Sequence, residues 1–411
     1  MGSNNPIGII ELGNVSIKCL IFNIGNDNTS EILSTSIVDS EGIHNGVVVN
    51  LSKATNAIRS CISSAEKRAS ILLKKINVVI EQTEFLCTKF SKDRKINGSK
   101  IHEGDIEFLL KEAKKQVVLN DSKQSIIHIF NHNYIVDGKE FIEEPIDVYA
   151  DYLSHEMTFI TMPKNNIKNI YQAFIDCDIE VERFISCTFA LAAKLLNNNE
   201  LQYGSTLIDV GFEKTSLGLF KNSAIVHSIT FPIGTNHITK DIAKVCSLSL
   251  EESDTIKNNV DLSFQENTTL FNKKGYLIDT YFINSTYRKI SQSLILNVVK
   301  ARLDEIFKII KKQINLLGLN STSGAKIFLV GGGSNLYNLE QYCSNLFETD
   351  VKKLESINNG NDADEINENF NSCLGALKII KDGWETEAIP APANNNVGKM
   401  SFFAKIFGNK T

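Results

Sequence analysis

Several features that would place a chain in a specialised class are missing from this sequence. No apolar run of about 18 residues or more occurs, so we expect no membrane-spanning helix. The amino terminus has no basic region followed by an apolar stretch, which is the pattern of a secretory signal. The net charge is −5, so the basic balance typical of nucleic-acid-binding proteins is absent too. We therefore expect no nucleic-acid partner.

Metal-binding and disulfide patterns are also missing. The eight cysteines show no Cys-x-x-Cys spacing, and most lie within apolar runs, as is typical of reduced core thiols in a cytoplasmic protein. The seven histidines are dispersed, so we expect no metal site built from histidine or cysteine. A length of 411 residues with 42% hydrophobic content predicts two or more lobes with filled cores.

One pattern occurs twice: an apolar run, an acid, one apolar residue, a glycine, a polar turn and a second apolar run. The first copy carries Glu11 and Gly13, and the second carries Asp209 and Gly211. The pattern predicts a β-hairpin with a tight turn. Turn N–H groups form an anion-binding concavity, and an acid beside them can hold a divalent cation through water. Two such hairpins facing each other would clamp the phosphates of a nucleotide.

A third element follows these two hairpins. Residues 327–330 are apolar and run into Gly331, Gly332 and Gly333, then Ser334 and an apparent helix. A strand that ends in glycines lets the backbone approach a nucleoside or phosphate closely. Two acidic hairpins followed by this glycine-rich element resemble, in that order, the actin-like ATPases. The alternative is that all these glycines serve only as turns.

The resulting fold prediction is α/β: an actin-like (ribonuclease-H-like) two-lobed ATPase fold with an α+β insert in the first lobe and a C-terminal amphipathic helix. The predicted segments are the first lobe at 1–83 and 163–200, the insert at 84–162, the second lobe at 201–381 with a peripheral part at about 235–310, a flexible linker at 382–396 and an amphipathic helix at 397–411.

Hydrophobic periodicity and breaker residues predict the individual elements. Predicted strands lie at three places within 7–50, with the third near 47–49, and at 76–80, 84–90, 125–136, 139–142, 153–161, 181–185, 269–271 and 276–278. Predicted helices are 51–75, 103–115, 164–176, 188–196, 239–248, 249–258, 285–317, 335–346 and 371–381. Residues 92–100 are predicted to form a polar loop.

The combination resembles one family closely, the bacterial cell-division protein FtsA. The resemblance covers residues 1–381 and the last dozen residues. Members of that family look like actin but replace a peripheral actin subdomain with an insert elsewhere in the first lobe, where this chain has residues 84–162. The matching segments are 134–138, 145–149 and 155–161 in the insert, and 232–242 and 251–257 in the second lobe. Pilus-assembly proteins share the actin core and a related insert.

The resemblance implies a polymerising scaffold that binds ATP with Mg²⁺ and is a weak ATPase at most. It also implies tethering of FtsZ filaments, through the FtsZ C-terminal tail, to the cytoplasmic face of the inner membrane at the division site. Later division proteins would bind the inserted subdomain. The implied nucleotide-binding residues are Gly13, Asn14, Ser16, Lys18, Asp209, Gly211, Lys214, Thr215, Gly234, Asp254, Lys257, Gly331, Gly332, Gly333 and Ser334.

Two departures from the actin-like pattern bear on catalysis. Glu11 stands where these ATPases usually carry Asp, which lengthens the arm that would hold hydrated Mg²⁺. Phe212 and Glu213 replace a small, glycine-rich turn, and a carboxylate beside a triphosphate is repulsive unless it points outward or toward metal. Glu11 and Asp209 remain the candidates for holding a metal through water. We expect nucleotide binding with slow hydrolysis.

The last residues of the chain predict a membrane-binding helix. On a helical wheel one arc is apolar, and lysines at its ends and on the opposite side suit an anionic membrane surface. The predicted membrane residues are Met400, Phe402, Phe403, Lys405, Ile406 and Phe407. The alternative is a final helix docked on the protein's own core, but the polar, proline-containing linker favours the membrane.

Partner binding is predicted on the peripheral part of the second lobe. Arg288 and Arg302 offer positive charge there for the acidic FtsZ tail, although such charges can also form an ordinary solvated face. Two other functions remain open. A pilus-assembly scaffold would pair with integral membrane partners, and an actin-like small-molecule kinase would use Asp209 in catalysis.

Overall fold

The computed structural model of the protein describes residues 6–25, 29–263, 270–317, 326–354 and 369–382. The strands are β1 (Ile7–Leu12), β2 (Ser16–Ile24), β3 (Ser30–Asp39), β4 (Ile43–His44), β5 (Val47–Val48), β6 (Lys75–Ile80), β7 (Leu86–Lys100), β8 (Gln124–Val136), β9 (Lys139–Phe141), β10 (Tyr149–Pro163), β11 (Glu180–Ser186), β12 (Ser205–Val210), β13 (Thr215–Lys221), β14 (Ala224–Phe231), β15 (Lys326–Val330) and β16 (Val351–Lys353).

The helices alternate with these strands. They are α1 (Leu51–Ala69), α2 (Glu103–Asn120), α3 (Lys164–Ile175), α4 (Cys187–Leu195), α5 (Asn198–Tyr203), α6 (Thr235–Cys246), α7 (Leu250–Asn259), α8 (Gln292–Leu316), α9 (Leu339–Phe347) and α10 (Asn371–Lys381), with short 3-10 helices at Asp279–Tyr281 and Gly332–Asn335. In the part of the chain that the structure describes, no helix combines the length and apolar character needed to cross a membrane.

The first sheet has the strand order β11-β6-β1-β2-β3. Its centre is the predicted first hairpin, in which β1 and β2 run antiparallel and Glu11 lies opposite Lys18. The strand β6 pairs in parallel with both β1 and β11. Helix α1 covers the sheet with a buried face that includes Ala54, Ile58 and Cys61. The hairpin turn is therefore held at one end of a well-packed sheet.

Two predictions near this sheet are wrong. The sequence did not mark β3 as a strand, because serines stand at its buried positions. The hydroxyls of Ser34 and Ser36 donate to the carbonyls of Ala65 and Cys61 in α1, which makes their burial tolerable. The helix predicted at 51–75 ends at Ala69, because the next residue, Ser70, adopts a left-handed φ of 56°.

The insert forms a separate sheet with the order β7-β10-β8-β9, and α2 packs on one face. Its core includes Ile106, Leu109, Tyr134 and Phe159. The polar loop predicted at 92–100 is wrong: β7 continues through it, paired in antiparallel register with β10. As an edge strand, β7 exposes most of its side chains, so its sequence reads as polar.

The third sheet has the order β14-β13-β12-β15-β16, with β15 parallel to both β12 and β16. Helix α6 packs against both α7 and α8, and the three helices lie largely within the segment predicted as the peripheral part. The helix predicted at 285–317 begins only at Gln292, because Ser291 caps it by accepting a hydrogen bond from the N–H of Leu294. In place of strands at 269–271 and 276–278, the described residues form an isolated Phe271–Leu277 bridge.

The helix predicted at 335–346 also differs. A 3-10 turn spans Gly332–Asn335, and α9 starts at Leu339. The described residues form two compact units. The first takes its members from Met1–Tyr203, Gly218–Ile229 and Ser356–Thr411, and the second from Gly204–Leu217 and Thr230–Glu355. Helix α10 belongs to the first unit, although the sequence assigns it to the segment 201–381.

Candidate functional site

The first hairpin, in the first unit, brings together an acid and a base. Glu11 ends near the turn, and its Oε2 lies 3.2 Å from Nζ of Lys18 on the opposite strand. The same oxygen accepts a hydrogen bond of 2.7 Å from Oγ of Ser372 in α10. The Glu11 carboxylate raises the pKa of Lys18, so the ammonium form is held at neutral pH.

The turn of this hairpin is tight. A Cβ at Gly13 would lie 2.5 Å from the carbonyl oxygen of Ser16, so only glycine fits. Asn14 is part-buried, and its Nδ2 donates to Oδ1 of Asn45 at 3.4 Å. Gly13, Asn14, Ser16 and Lys18 thus lie together at one turn, as the sequence indicates. Their role in binding phosphate stays a prediction.

The second hairpin has a similar turn, which lies in the second unit. The N–H of Gly211 donates to the carbonyl of Lys214 at 3.0 Å. The hydroxyl of Thr215 donates to the carbonyl of Ile233 at 2.7 Å, which fixes the segment that leads into α6. Asp209 stands at the end of β12, paired in register with Val330 of β15. The second acid and the glycine-rich element therefore leave the same edge of the sheet.

The unusual residues of the second turn point toward α6. Oε1 of Glu213 accepts from Nδ2 of Asn236 at 2.5 Å and lies 3.6 Å from Nζ of Lys240. The Glu213 carboxylate, which would repel a triphosphate if it faced one, therefore has a cationic partner within its own unit. The N–H of Thr235 donates to the carbonyl of Gly211, and a Cβ at Gly234 would lie 2.5 Å from the carbonyl oxygen of Phe212. The start of α6 is seated directly on the turn.

The three glycines after β15 have different surroundings. Gly331 has a φ of +85°, and a Cβ there would overlap Oδ1 of Asp209. A Cβ at Gly333 would lie 2.5 Å from side-chain atoms of both Thr235 and Val210. A Cβ at Gly332 would meet nothing within 4 Å. Two glycines are thus required by packing, while the middle one presents open backbone beside Asp209.

Ser334 closes this turn. Its N–H and its hydroxyl both donate to the carbonyl of Gly331, the hydroxyl at 2.7 Å. The backbone around Gly332 is therefore held in one conformation. A rigid backbone free of side chains is the kind of surface that a nucleoside or phosphate approaches closely.

In α7, the buried Lys257 pairs with the partly exposed Asp254. Nζ of Lys257 lies 2.6 Å from Oδ1 of Asp254 and 3.2 Å from the hydroxyl oxygen of Thr239 in α6. Only 5% of the Lys257 side chain is exposed, and Nζ lies 6.0 Å from the centroid of the Phe212 ring. The ring of the second turn therefore connects this pair to the hairpin. A role in binding ribose or base stays a prediction.

The two predicted partner-binding arginines differ in availability. The guanidinium of Arg302 binds both carboxylate oxygens of Asp241, at 2.6 and 3.0 Å, and also Glu305 at 2.6 Å. Arg288 is exposed and donates one hydrogen bond, to the carbonyl of Ser247. Of the two, Arg288 is the better placed to meet an outside anion.

Several site contacts have no signal in the sequence. Ser372 and Glu11 are far apart along the chain, and no motif marks the serine. The pairing of Glu213 with Lys240 was partly predictable, because α6 follows the hairpin closely in sequence. Which way α6 runs from the turn depends on the close backbone contact at Gly234. The predicted membrane residues of the tail lie outside the described residues.

Two family models match this chain. The model described as "Cell division protein FtsA" matches residues 206–375, and "SHS2 domain inserted in FTSA" matches residues 85–161. Together they cover well over half of the chain, and the second coincides with the insert sheet and α2.

FtsA proteins of several bacteria match most of the length of this chain. FtsA of Agrobacterium fabrum is 22% identical over 362 residues, which are 84% of this chain and 80% of the relative. FtsA of Neisseria meningitidis is 23% identical over 374 residues, which are 90% of this chain and 89% of the relative. FtsA of Buchnera aphidicola is 24% identical over 412 residues, which cover 97% and 94% of the two chains.

Solved structures confirm the actin-like fold. The chain is similar to one in the PilM–PilN type IV pilus biogenesis complex, with a TM-score of 0.62, 12% identity and coverage of 92% and 99%. It is also similar to MreB5 of Spiroplasma citri bound to ADP, with a TM-score of 0.50, 15% identity and coverage of 92% and 98%. At these identities the likeness concerns the fold alone.

Proposed function

This chain belongs to the family of the cell-division protein FtsA, and we propose that it is an ATP-binding, polymerising scaffold of the division site. In this role it tethers FtsZ filaments to the cytoplasmic face of the membrane and recruits later division proteins through its insert. The family and the fold support an actin-like scaffold in cell division. Binding of FtsZ and later division proteins, attachment to the membrane and binding of ATP are what we propose beyond this.

The observation that carries the nucleotide proposal is the open backbone at Gly332. It is held rigid by Ser334, lies beside Asp209 and leaves the same sheet edge as the second hairpin. The MreB5 structures with ADP and with AMPPNP have this fold, which supports a nucleotide here. Each unit carries one acidic turn, and we propose that each of these turns is a phosphate-binding element.

The chemistry of the two acids fits a magnesium ion. Mg²⁺ prefers oxygen ligands and keeps several waters, so Glu11 and Asp209 are each suited to hold such an ion through water. When bound, the metal would offset the charge of the triphosphate. One oxygen of Glu11 is already engaged by Lys18 and Ser372, which leaves little freedom to activate a water. We propose turnover well below the roughly 10 per second of a median enzyme.

The peripheral part offers a surface for the FtsZ tail. Ile283 and Tyr287 are 64% and 51% exposed, and Arg288 and Lys289 beside them are exposed too. A surface that combines apolar and cationic side chains suits an acidic, extended peptide with apolar residues. Because Arg302 already has two acidic partners, we place the contact at 283–289.

One substitution tests the nucleotide site with little risk to the fold. Gly332→Asp should weaken ATP binding at least about tenfold, because it puts charge and bulk against the nucleotide while a Cβ there meets no atom of the protein. Gly104→Asp is the matched control: Gly104 also faces open space, at the start of α2 in the insert. Binding of a fluorescent ATP analogue with Mg²⁺ gives both affinities. Equal affinity for Gly332→Asp and Gly104→Asp would remove the glycine turn from the site.

A pilus-assembly scaffold is the second candidate, favoured by the likeness to the PilM–PilN complex. That likeness is one of fold, whereas the FtsA family models match this sequence itself. A pull-down with the FtsZ C-terminal tail separates the two. A small-molecule kinase would instead show turnover stimulated by its substrate in a screen.

A further inference from the structure

We propose that Ser372 is a positioning residue, which fixes the Glu11 carboxylate of the first hairpin for its role at the metal ion of the nucleotide. The inference rests on the proposed nucleotide site and adds a residue that no motif indicates. It joins α10, near the end of the described chain, to a hairpin near the beginning.

The contact is specific to one oxygen. Oε2 of Glu11 accepts from Oγ of Ser372 at 2.7 Å and lies 3.2 Å from Nζ of Lys18. Both contacts given for this carboxylate within the described residues are made by Oε2. Two partners on Oε2 therefore fix the plane of the carboxylate and leave Oε1 to face a metal-bound water.

Of the two partners, Ser372 is the rigid one. Lysine places its ammonium at the end of four methylenes, whereas a single rotatable bond separates the serine hydroxyl oxygen from the backbone. Ser372 is 4% exposed and lies in the first turn of α10, where the positive end of the helix dipole favours a carboxylate. A hydroxyl on a rigid helix holds a carboxylate more firmly than a lysine can.

Helix α10 is seated closely on α4. A Cβ at Gly375 would overlap the carbonyl oxygen of Ala190, so the helix backbones touch. Nζ of Lys378 donates to the carbonyl of Ala193 at 2.8 Å, and Ala376 is fully buried. The position of Ser372 is thus set by the packing of α10, which contacts α4 most extensively and also contacts β1 and β2.

A glutamate needs such a contact more than an aspartate does. Glu11 has one more rotatable bond than the Asp usual at this place, so its carboxylate samples more positions. Ordering that extra bond takes free energy at the moment of metal binding unless the protein has already ordered it. The hydrogen bond from Ser372 supplies this order before the metal arrives.

The test measures how ATP binding depends on Mg²⁺ in the full chain. A fluorescent ATP analogue is titrated at a series of Mg²⁺ concentrations and in EDTA. Ser372→Ala should raise the Mg²⁺ concentration for half-maximal binding by roughly tenfold, the effect of losing one hydrogen bond to a charged group, and leave binding in EDTA unchanged. Ser372→Thr, which keeps the hydroxyl, should restore the wild-type Mg²⁺ dependence.

A double-mutant cycle shows whether the serine acts through Glu11. Glu11→Ala should raise the Mg²⁺ requirement at least as much, and adding Ser372→Ala to it should change nothing further. Ser36→Ala is the matched control, because Ser36 is also a buried serine of the first unit and donates to the carbonyl of Cys61 at 2.7 Å. It should lower the melting temperature but leave the Mg²⁺ dependence unchanged.

The outcomes separate this inference from the proposed function. If the wild-type chain shows no Mg²⁺-dependent ATP binding, the proposed nucleotide site is wrong. If the wild type does bind in this way and Ser372→Ala behaves like Ser36→Ala, the nucleotide site stands and the positioning role is wrong. Additive effects of Ser372→Ala and Glu11→Ala would also overturn it.

Discussion

At the scale of single residues, Glu252 shows how one buried carboxylate orders the peripheral part of the second unit. Glu252 is fully buried. Its carboxylate oxygens accept hydrogen bonds from the N–H groups of Ser249, Asn284 and Ser285 at 2.7 to 2.8 Å. The hydroxyl of Ser285 donates as well, at 2.5 Å. The side chain thus caps α7 and holds the loop before α8.

These hydrogen bonds predict a pH dependence. Burial raises the pKa of Glu252, but the hydrogen bonds outweigh burial and lower it from 4.5 to about 2. A depressed pKa in the folded state adds stability above pH 4.5, and this stability is lost as the pH falls toward 2. Glu252→Gln should destabilise the chain by roughly 1–3 kcal/mol at pH 7, because the amide cannot replace the charged acceptor.

Denaturant unfolding between pH 7 and pH 2.5 measures both effects. The free energy of unfolding of Glu252→Gln should fall less between these limits than that of the wild type, and the two curves should converge in acid. The neighbouring, exposed Glu251 gives the control Glu251→Gln, which should follow the wild type. Parallel curves for Glu252→Gln and the wild type would show that this carboxylate has no special role.

Sequence could predict some of these residues and not others. Glu11 and Lys18 lie on adjoining arms of one hairpin, so their opposition follows from the turn position. The contact of Ser372 with Glu11 depends on where a distant helix packs, which no local pattern encodes. Ser249 and Glu252 have the spacing of a capping box, which is a local pattern, whereas the loop that Glu252 also binds is not encoded by any local pattern.

At the scale of elements, helices α4 and α10 of the first unit are in direct backbone contact at Gly375. Gly375→Ala should destabilise the chain by roughly 1–3 kcal/mol, because the methyl group overlaps the backbone of Ala190 and one helix must move. Gly104→Ala in α2 meets open space and should be neutral or stabilising by up to about 1 kcal/mol. Thermal unfolding compares both variants with the wild type, and a Gly375→Ala variant as stable as Gly104→Ala would contradict this packing.

Elements with a continuous apolar stripe were predictable, and elements with polar surfaces were not. Strand β6 and helix α10 match their predictions closely, since burial requires apolar residues at nearly every inward position. Strand β7 and strand β3 were missed for two different physical reasons: β7 is an edge strand with exposed side chains, and β3 buries serines that donate to α1. Both strands are held by antiparallel backbone pairing with a neighbouring strand, which their side-chain patterns do not show.

At the scale of the whole molecule, the order of the three glycine-containing motifs predicts the fold, because each motif is a fixed turn at a sheet edge. The structure places the first hairpin in one compact unit, and the turn of the second hairpin and the glycine turn in the other.

The proposed membrane attachment of the molecule rests on residues 397–411. Full burial of Phe402, Phe403, Ile406 and Phe407 would contribute about 1.5–3 kcal/mol per side chain, but interfacial burial is partial and ordering the helix opposes it. Each nearby lysine adds about 1 kcal/mol on anionic lipid. One tail should therefore bind reversibly, and stable attachment should need many tails on one polymer.

The central claim is that this chain connects FtsZ to a membrane. The most direct measurement is co-sedimentation of purified FtsZ with anionic liposomes, in the presence of ATP and Mg²⁺, with the full chain or with a truncation after Asn396. We predict that FtsZ pellets with liposomes and the full chain, stays in the supernatant with the truncated chain, and pellets less at higher salt. FtsZ that pellets equally with both chains, or with neither, would contradict the account.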